Sequence, residues 1–306
     1  MRDIVSCLSE NAVNVSPSSL IPCSTTNPCI ITPSSSSIIV APSTQNSTST
    51  IYTLKHLLIT VTWCNQGLTI TFNHQDPPPF RLNTNSRFFP KKKGSKTLQI
   101  QSSNLEILWD LSNAKYQTGP EPLQAFYLLI ILDSELGLAL GDNADEAVSK
   151  RFGSNFKASY PLARMVSKRE HCSGTTLYTT KARFCDTGTC HDVAIRCSVE
   201  REGEGSSLKS PILSVCIDKK TVTRVKRLQW NFRGNQTIFV DGLLVDLMWD
   251  VHDWFFSSNP SCGGYAVFMF RTRSGMDSRL WLEEKGVHKD KERVEFSLLI
   301  YACKTS

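Results

Sequence analysis

The sequence predicts an all-β protein with one short helix: two related antiparallel β units forming a sandwich or barrel, preceded by a disordered N-terminal tail. Three observations carry this reading. Beyond residue 50, apolar side chains recur mostly with a period of two, the spacing of strands with one buried face. A single segment, Asp142 to Phe152, combines helical spacing with charges suited to both helix ends. Residues 87–116 also align on 227–256 without a gap, and self-similarity at a fixed offset is the mark of an internal repeat.

The first fifty residues differ from the rest. They are rich in Ser and Thr, and their only charged side chains are Arg2, Asp3 and Glu10. Such a segment buries too little apolar surface to offset the entropy of ordering, so 1–50 is expected to be a disordered tail. From there Leu57, Ile59, Val61 and Trp63 share one face of a strand, and Leu68, Ile70 and Phe72 share a face of the next. Ala125 to Leu132 is continuously apolar, as in a strand covered on both sides. The helix follows at about 142–152. Asp142 or Asn143 caps its start, Asp145 and Glu146 sit at its positive end, Lys150 and Arg151 lie at its negative end, and Gly153 stops it. Near the C-terminus Phe296, Leu298, Ile300 and Ala302 alternate with other side chains as one more strand. The first β unit is expected to span 51–211 and the second 212–306.

In the repeat, Arg87 falls on Arg227, Gly94 on Gly234, Thr97 on Thr237, and Trp109-Asp110 on Trp249-Asp250. Gly94, Trp109 and Asp110, with Gly234, Trp249 and Asp250, are therefore the expected structural anchors. Gly94-Ser95 and Gly234-Asn235 read as hairpin turns, with Leu228, Trp230 and Phe232 alternating along a strand before the second of them. Asp241-Gly242 reads as a further tight turn. The tryptophans are expected in the core, and the aspartates are expected to bond backbone at a strand end.

Charge is unevenly distributed. The chain holds 34 Lys and Arg against 28 Asp and Glu, for a net charge of +6. Two acid-free segments concentrate the excess: 81–96, with Arg87, Lys91, Lys92, Lys93 and Lys96, and 219–233, with Arg224, Lys226, Arg227 and Arg233. These nine side chains are the candidate partner-binding residues. The repeat would bring the two basic hairpins together around a pseudo-twofold axis, suited to an acidic protein or to nucleic acid. Phe88, Phe89, Trp230 and Phe232 lie beside the cations, as in proteins that stack bases, but strand alternation turns Trp230 and Phe232 toward the core. Basic side chains guarding strand edges are the competing explanation.

The chemistry-bearing residues do not assemble into an enzyme signature. Asp110, Asp250, His252 and Asp253 invite a catalytic or metal reading, but Ser112 and Asn113 stand at the positions that match His252 and Asp253. No phosphate-binding glycine loop or nucleophile elbow is present. The eleven cysteines form no closely spaced pair. The cluster of His171, Cys172, Cys185, Cys190, His191 and Cys197 fits zinc only loosely, so reduced, packed thiols are expected. No catalytic residue, metal or cofactor is assigned.

Several strings are distinctive: LLITVTWC, LNTNSRFF with KKKGSK, DSELGLALGD, REHCSG, and above all DKKTVTRVKRLQWNFRGNQTIFVDGLLVDLMWDVHDWFF and RTRSGMDSRLWLEEK. In these the chain resembles, over nearly its whole length, the land-plant domain-of-unknown-function family 868. The resemblance implies a plant source and supplies no activity and no catalytic residues. The expectation is a non-enzymatic binding or scaffold protein. A small hydrophobic-ligand carrier and a nucleic-acid binder acting through the basic hairpins are the alternatives. No apolar run is long enough to span a membrane, and the start is not a secretory signal. The expected location is therefore intracellular, in cytoplasm or nucleus. A Ser-rich, acid-poor start leaves the plastid as the other compartment.

Overall fold

A computed structural model describes residues 13–15, 43–72, 78–83, 91–100, 102–153, 163–185, 188–201, 209–256, 264–273 and 295–305. Most of the expected tail lies outside these residues. The part that is described is strand: β1 (Val13–Val15), and the start of β2 (Thr44–Leu54), which begins six residues before the expected end of the tail. Thr48 and Thr50 of β2 are buried, so this polar segment is held by ladder pairing to an apolar strand rather than by its own apolar content.

The chain divides into two compact units. One is Thr44–His171, here the first unit; the other comprises Met1–Ser43 and Cys172–Ser306, here the second. The division falls inside the strand β10 (Arg164–Gly174). Residue 211, where the sequence repeat placed it, lies within β13 (Lys209–Ile217), which pairs on both sides with strands of the second unit.

In the first unit, β2, β3 (Leu57–Cys64), β4 (Gly67–Phe72) and β5 (Phe80–Asn83) pair in that order as an antiparallel meander. A second meander follows: β6 (Lys93–Ile100), β7 (Ser103–Asp110), β8 (Tyr127–Leu132) and β9 (Glu135–Leu140). The alternation read in the sequence is the packing pattern: Leu57, Ile59, Val61 and Trp63 are buried, as are Leu105, Ile107 and Trp109. These faces meet in one contiguous apolar cluster that fills the space between the two sheets, as in a sandwich. β8 is buried on both sides. Leu128, Ile130 and Leu132 join that cluster, whereas Leu129 and Ile131 pack with Ala144 and Val148 of α1 (Ala144–Phe152). The helix lies where the sequence placed it, but Asp142 does not cap it. Its carboxylate accepts the backbone N–H groups of Ala125 and Phe126 instead, and Asn143 makes no side-chain cap bond.

The second unit repeats the plan. β11 (Leu177–Arg183), β12 (Cys190–Arg201), β13 and β14 (Lys220–Val225) form one antiparallel sheet. β15 (Arg233–Val240), β16 (Leu243–Asp250), β17 (Tyr265–Thr272) and β18 (Ser297–Lys304) form another, with β1 parallel to β15. Phe184 from the end of β11 meets Phe270 at 6.0 Å and Phe296 at 6.4 Å, so aromatic rings bridge the two sheets. A second helix, α2 (His252–Phe256), was not anticipated; its five residues are too few to show a period.

Three hairpins close through two-residue turns with positive φ at both central positions: Asp133-Ser134, Asp218-Lys219 and Asp241-Gly242. That backbone matches the twist of the strands it joins, and a short Asp side chain tolerates it. Gly94 and Gly234 are not turn residues. Each is the second residue of its strand, paired with Trp109 and Trp249 respectively. A Cβ at Gly94 would stand 2.9 Å from the Trp109 ring, and one at Gly234 would stand 2.5 Å from the Trp249 ring. Glycine is needed there for the close approach of an indole, not for a turn.

Candidate interaction surface

The repeat anchors form the same set of contacts in each unit. Trp109 donates its ring N–H to the carbonyl of Lys91 at 2.9 Å, and Trp249 donates its own to the carbonyl of Asn231 at 3.0 Å. The backbone N–H of Leu111 reaches the carbonyl of Lys92, and that of Val251 reaches the carbonyl of Phe232. Asp110 accepts the N–H of Ser112 and pairs with Lys93 at 2.9 Å. Asp250 accepts the N–H of His252 and pairs with Arg233 at 2.7 Å. Every one of these partners is displaced by the same offset. Asp110 is held below the usual carboxylate range because, although partial burial opposes ionisation, Lys93 and the Ser112 N–H outweigh it. The aspartates do bond backbone at a strand end, as expected. Trp109 is buried against Phe80, whereas Trp249 is only half-buried.

The nine candidate partner-binding side chains fall into separate groups. Arg87 lies outside the described residues. Lys93 and Arg233 hold the anchor aspartates, and Arg224 holds Glu200. Lys91, Lys92 and Lys96 of the first unit, and Lys226 and Arg227 of the second, are exposed and make no ion pair with a described residue. Lys226 and Arg227 begin the segment that strand alternation misplaced. Residues 226–232 are a loop, not a strand. Arg227 takes the left-handed conformation (φ 53°), which breaks the extended run, so only Leu228 turns fully inward. Trp230 is consequently 79% exposed.

The loop that presents this indole is fastened at several points. The N–H groups of Trp230 and Asn231 both bond the carbonyl of Arg227, and the Asn231 amide donates to the carbonyl of Lys226 at 3.0 Å. Trp249 holds Asn231 from below, and Leu228 is completely buried. Phe232 is half-buried, edge-on to His252 at 5.1 Å, with the Arg233 guanidinium over its ring at 5.6 Å. A fixed loop that exposes a large apolar ring and two cations has the composition of an interaction hot spot, where Trp and Arg dominate.

The family described as Plant protein of unknown function (DUF868) matches residues 43–304. The chain belongs to this family. The match begins at the residue that precedes β2 and covers both sandwich units. No curated protein and no solved structure matches the chain.

The other chemistry-bearing residues of this DUF868 chain are engaged internally. His252 bonds Asp253 at 2.8 Å, and among the described residues no hydroxyl or thiol hydrogen-bonds it. His191, read at the sequence level only as part of a loose zinc cluster, is 4% exposed and lies between two carboxylates. Its Nδ1 is 2.6 Å from Asp218, and its Nε2 is 2.9 Å from Asp241 and 3.0 Å from the Thr189 hydroxyl. Both ring nitrogens are thus committed as donors, which leaves no lone pair for a metal. Burial works against the charged imidazole, but the bonds to Asp218 and Asp241 outweigh it and raise its pKa. The same pairing lowers that of Asp241 against its own burial. Among the described residues no cluster of His, Cys, Asp and Glu is arranged to hold a metal. Cys216 is disulfide-bonded, contrary to the expectation of reduced thiols, whereas Cys64, Cys172, Cys185, Cys190, Cys197 and Cys303 form no disulfide. Burial pushes the Cys197 thiol up to about 12, so it stays protonated. No described helix is long and apolar enough to cross a membrane.

Proposed function

We propose that this protein is a non-enzymatic binding module that docks an acidic segment of a partner protein on the Trp230 loop. One observation carries the reading: an indole 79% exposed, on a loop that is pinned by backbone bonds and begins with the exposed Lys226 and Arg227. Exposing a Trp costs solubility, and among the described residues of the second unit none buries the ring. A partner that covers the ring gains its apolar area, and acidic side chains on that partner meet the two cations.

Nucleic acid is the second reading, because an exposed ring beside cations also stacks a base. The number of available cations favours protein. Sequence-independent binding to a phosphate backbone rests on about 6–10 neutralised phosphates. The second unit offers Lys226 and Arg227 at this loop, since Arg224 and Arg233 already hold carboxylates. The proposed setting is intracellular, in cytoplasm or nucleus.

The test is a titration of the full chain with a Glu-rich peptide containing one Leu, and in parallel with a single-stranded oligonucleotide, at low and moderate salt. The peptide is expected to shift the Trp230 fluorescence and to bind at least tenfold more weakly to Trp230→Ala, with weakening by salt. Trp230→Ala itself should alter stability by no more than about 0.5 kcal/mol, as for other exposed side chains. Tighter binding of the oligonucleotide, with a steep salt dependence, would transfer the surface to nucleic acid. Equal binding by native and Trp230→Ala protein would remove the loop from the function.

A further inference from the structure

We infer that the first unit carries a small-ligand site for a flat aromatic molecule bearing a carboxylate. This is independent of the Trp230 loop, which belongs to the second unit. A cleft of about 360 Å³ opens on the first unit, lined by Trp63, Leu111, Ala114, Tyr116 and Pro120 together with polar groups, Lys92 among them. Clefts that hold small molecules run from ~300 to 1,000 Å³ and combine apolar walls with a few placed polar groups.

The second unit indicates what chemistry this place accepts. The offset that carries Trp109-Asp110 onto Trp249-Asp250 carries Leu111 onto Val251, Ala114 onto Trp254 and Lys92 onto Phe232. The two segments leave their strands through the same bonds: Leu111 to Lys92, Val251 to Phe232, and each aspartate to the N–H two residues on. Beyond that point they diverge. In the second unit the chain turns into α2, and the Trp254 ring is 3% exposed, edge-on to Tyr178 at 5.4 Å with the Lys304 ammonium 5.5 Å from its centroid. That unit fills the position with an indole of its own. In the first unit the side chain at the matching position ends at the Cβ of Ala114, and a cleft with aromatic walls remains.

The exchange of Phe232 for Lys92 adds a charge. Lys92 is exposed and makes no ion pair with a described residue, so the cleft pairs a slot for a planar ring with one cation at hand. A single ammonium suits a monoanionic carboxylate; a phosphate dianion calls for more donors than one lysine supplies. The ligand class is thus an aromatic carboxylic acid of about the size of an indole.

The experiment titrates the full chain with indole-3-propionate and with its neutral amide, followed by calorimetry and ligand-observed NMR. The acid is expected to bind at least tenfold more tightly than the amide, about one charge-assisted contact. Lys92→Gln should bring the two to equal affinity without altering the fold. Ala114→Trp, which supplies the side chain the second unit carries, should retain the native melting temperature and bind neither probe. Ala114→Leu fills the slot in part and should weaken the acid at least tenfold, so the inference stays open to refutation even if the Trp variant fails to fold. Native protein that binds neither probe at millimolar concentration would overturn the inference. A folded Ala114 variant that binds as the native chain does would overturn it equally. An amide that binds as well as the acid would remove the carboxylate from the ligand class.

Discussion

At the scale of single residues, the glycine–tryptophan pairs show how one small side chain fixes the place of a large one. Gly94 and Gly234 stand opposite the indoles of Trp109 and Trp249, and neither position has room for a Cβ without movement. The two sites differ in where the indole can go. Trp109 is 4% exposed and locked against Phe80, whereas Trp249 is half-buried and has solvent to swing into. The clash is closer at Gly234, yet the yielding neighbour lies there. Gly94→Ala is therefore expected to cost more, about 1–3 kcal/mol, the usual range for overpacking. Gly234→Ala should cost less than Gly94→Ala in urea denaturation and should instead break the Trp249 bond to Asn231. Hydrogen exchange in the 226–232 loop should become faster. A larger loss of stability at Gly234 than at Gly94 would mean that indole mobility does not decide the outcome. The sequence marked these glycines as special and assigned the wrong reason, because a glycine in a turn and a glycine beneath an indole look alike without the partner strand.

At the scale of elements, hairpin turns carry the local chemistry of strand pairing and, in one place, an electrostatic tie. Asp218 and Asp241 belong to the two-residue turns that close β13–β14 and β15–β16, and His191 at the start of β12 bonds both. One imidazolium thus joins the two sheets of the second unit at their turns. The folded pKa of His191 is raised, so its contribution is complete below the ordinary imidazole value and is lost as pH rises through the raised one. The folded pKa of Asp241 is lowered, so its contribution is present above the ordinary carboxylate value and is lost as pH falls through the lowered one. The stability difference between native protein and His191→Gln should therefore peak at about pH 5–6. It should be about 2–3 kcal/mol there, the scale of a hydrogen bond to a charged group, and shrink toward both extremes. Urea denaturation across a pH series measures it, and a difference independent of pH would show that the ring is held neutral. Strands with one buried face were legible because a period of two survives without knowledge of the partner. The His191 tie was not, because its three residues are far apart in sequence and meet only through the topology. The 226–232 loop was misread because Leu228, Trp230 and Phe232 imitate a strand, and the left-handed Arg227 that breaks it leaves no mark in a string of letters.

At the scale of the whole molecule, each unit contains two successive four-stranded meanders, β2–β5 and β6–β9 in the first and β11–β14 and β15–β18 in the second. The offset noticed in thirty residues thus sits inside a correspondence of strand order that the rest of the sequence no longer displays. The contacts between backbone and anchor side chains are alike in the two units, while the half-buried acids differ in their partners. Glu106 and Asp246 are matched by the offset, yet Glu106 pairs with Arg151 of α1, and Asp246 takes a two-pronged pair from Arg273 after β17. The shared contacts predict how the two anchor aspartates behave when removed. Each ties a strand end to the backbone two residues on, each holds one basic side chain, and their recorded partners are disjoint. Asp110→Ala and Asp250→Ala should each lower stability by about 0.5–1.5 kcal/mol, with Asp250 at the lower end because it is the more exposed. Independent sites add to within about 0.5 kcal/mol, so the double variant should lose the sum, whether the units unfold in one transition or in two. A coupling larger than that, measured by a double-mutant cycle in urea, would mean that the two anchors share a load and that the units are not separate copies of one structural device.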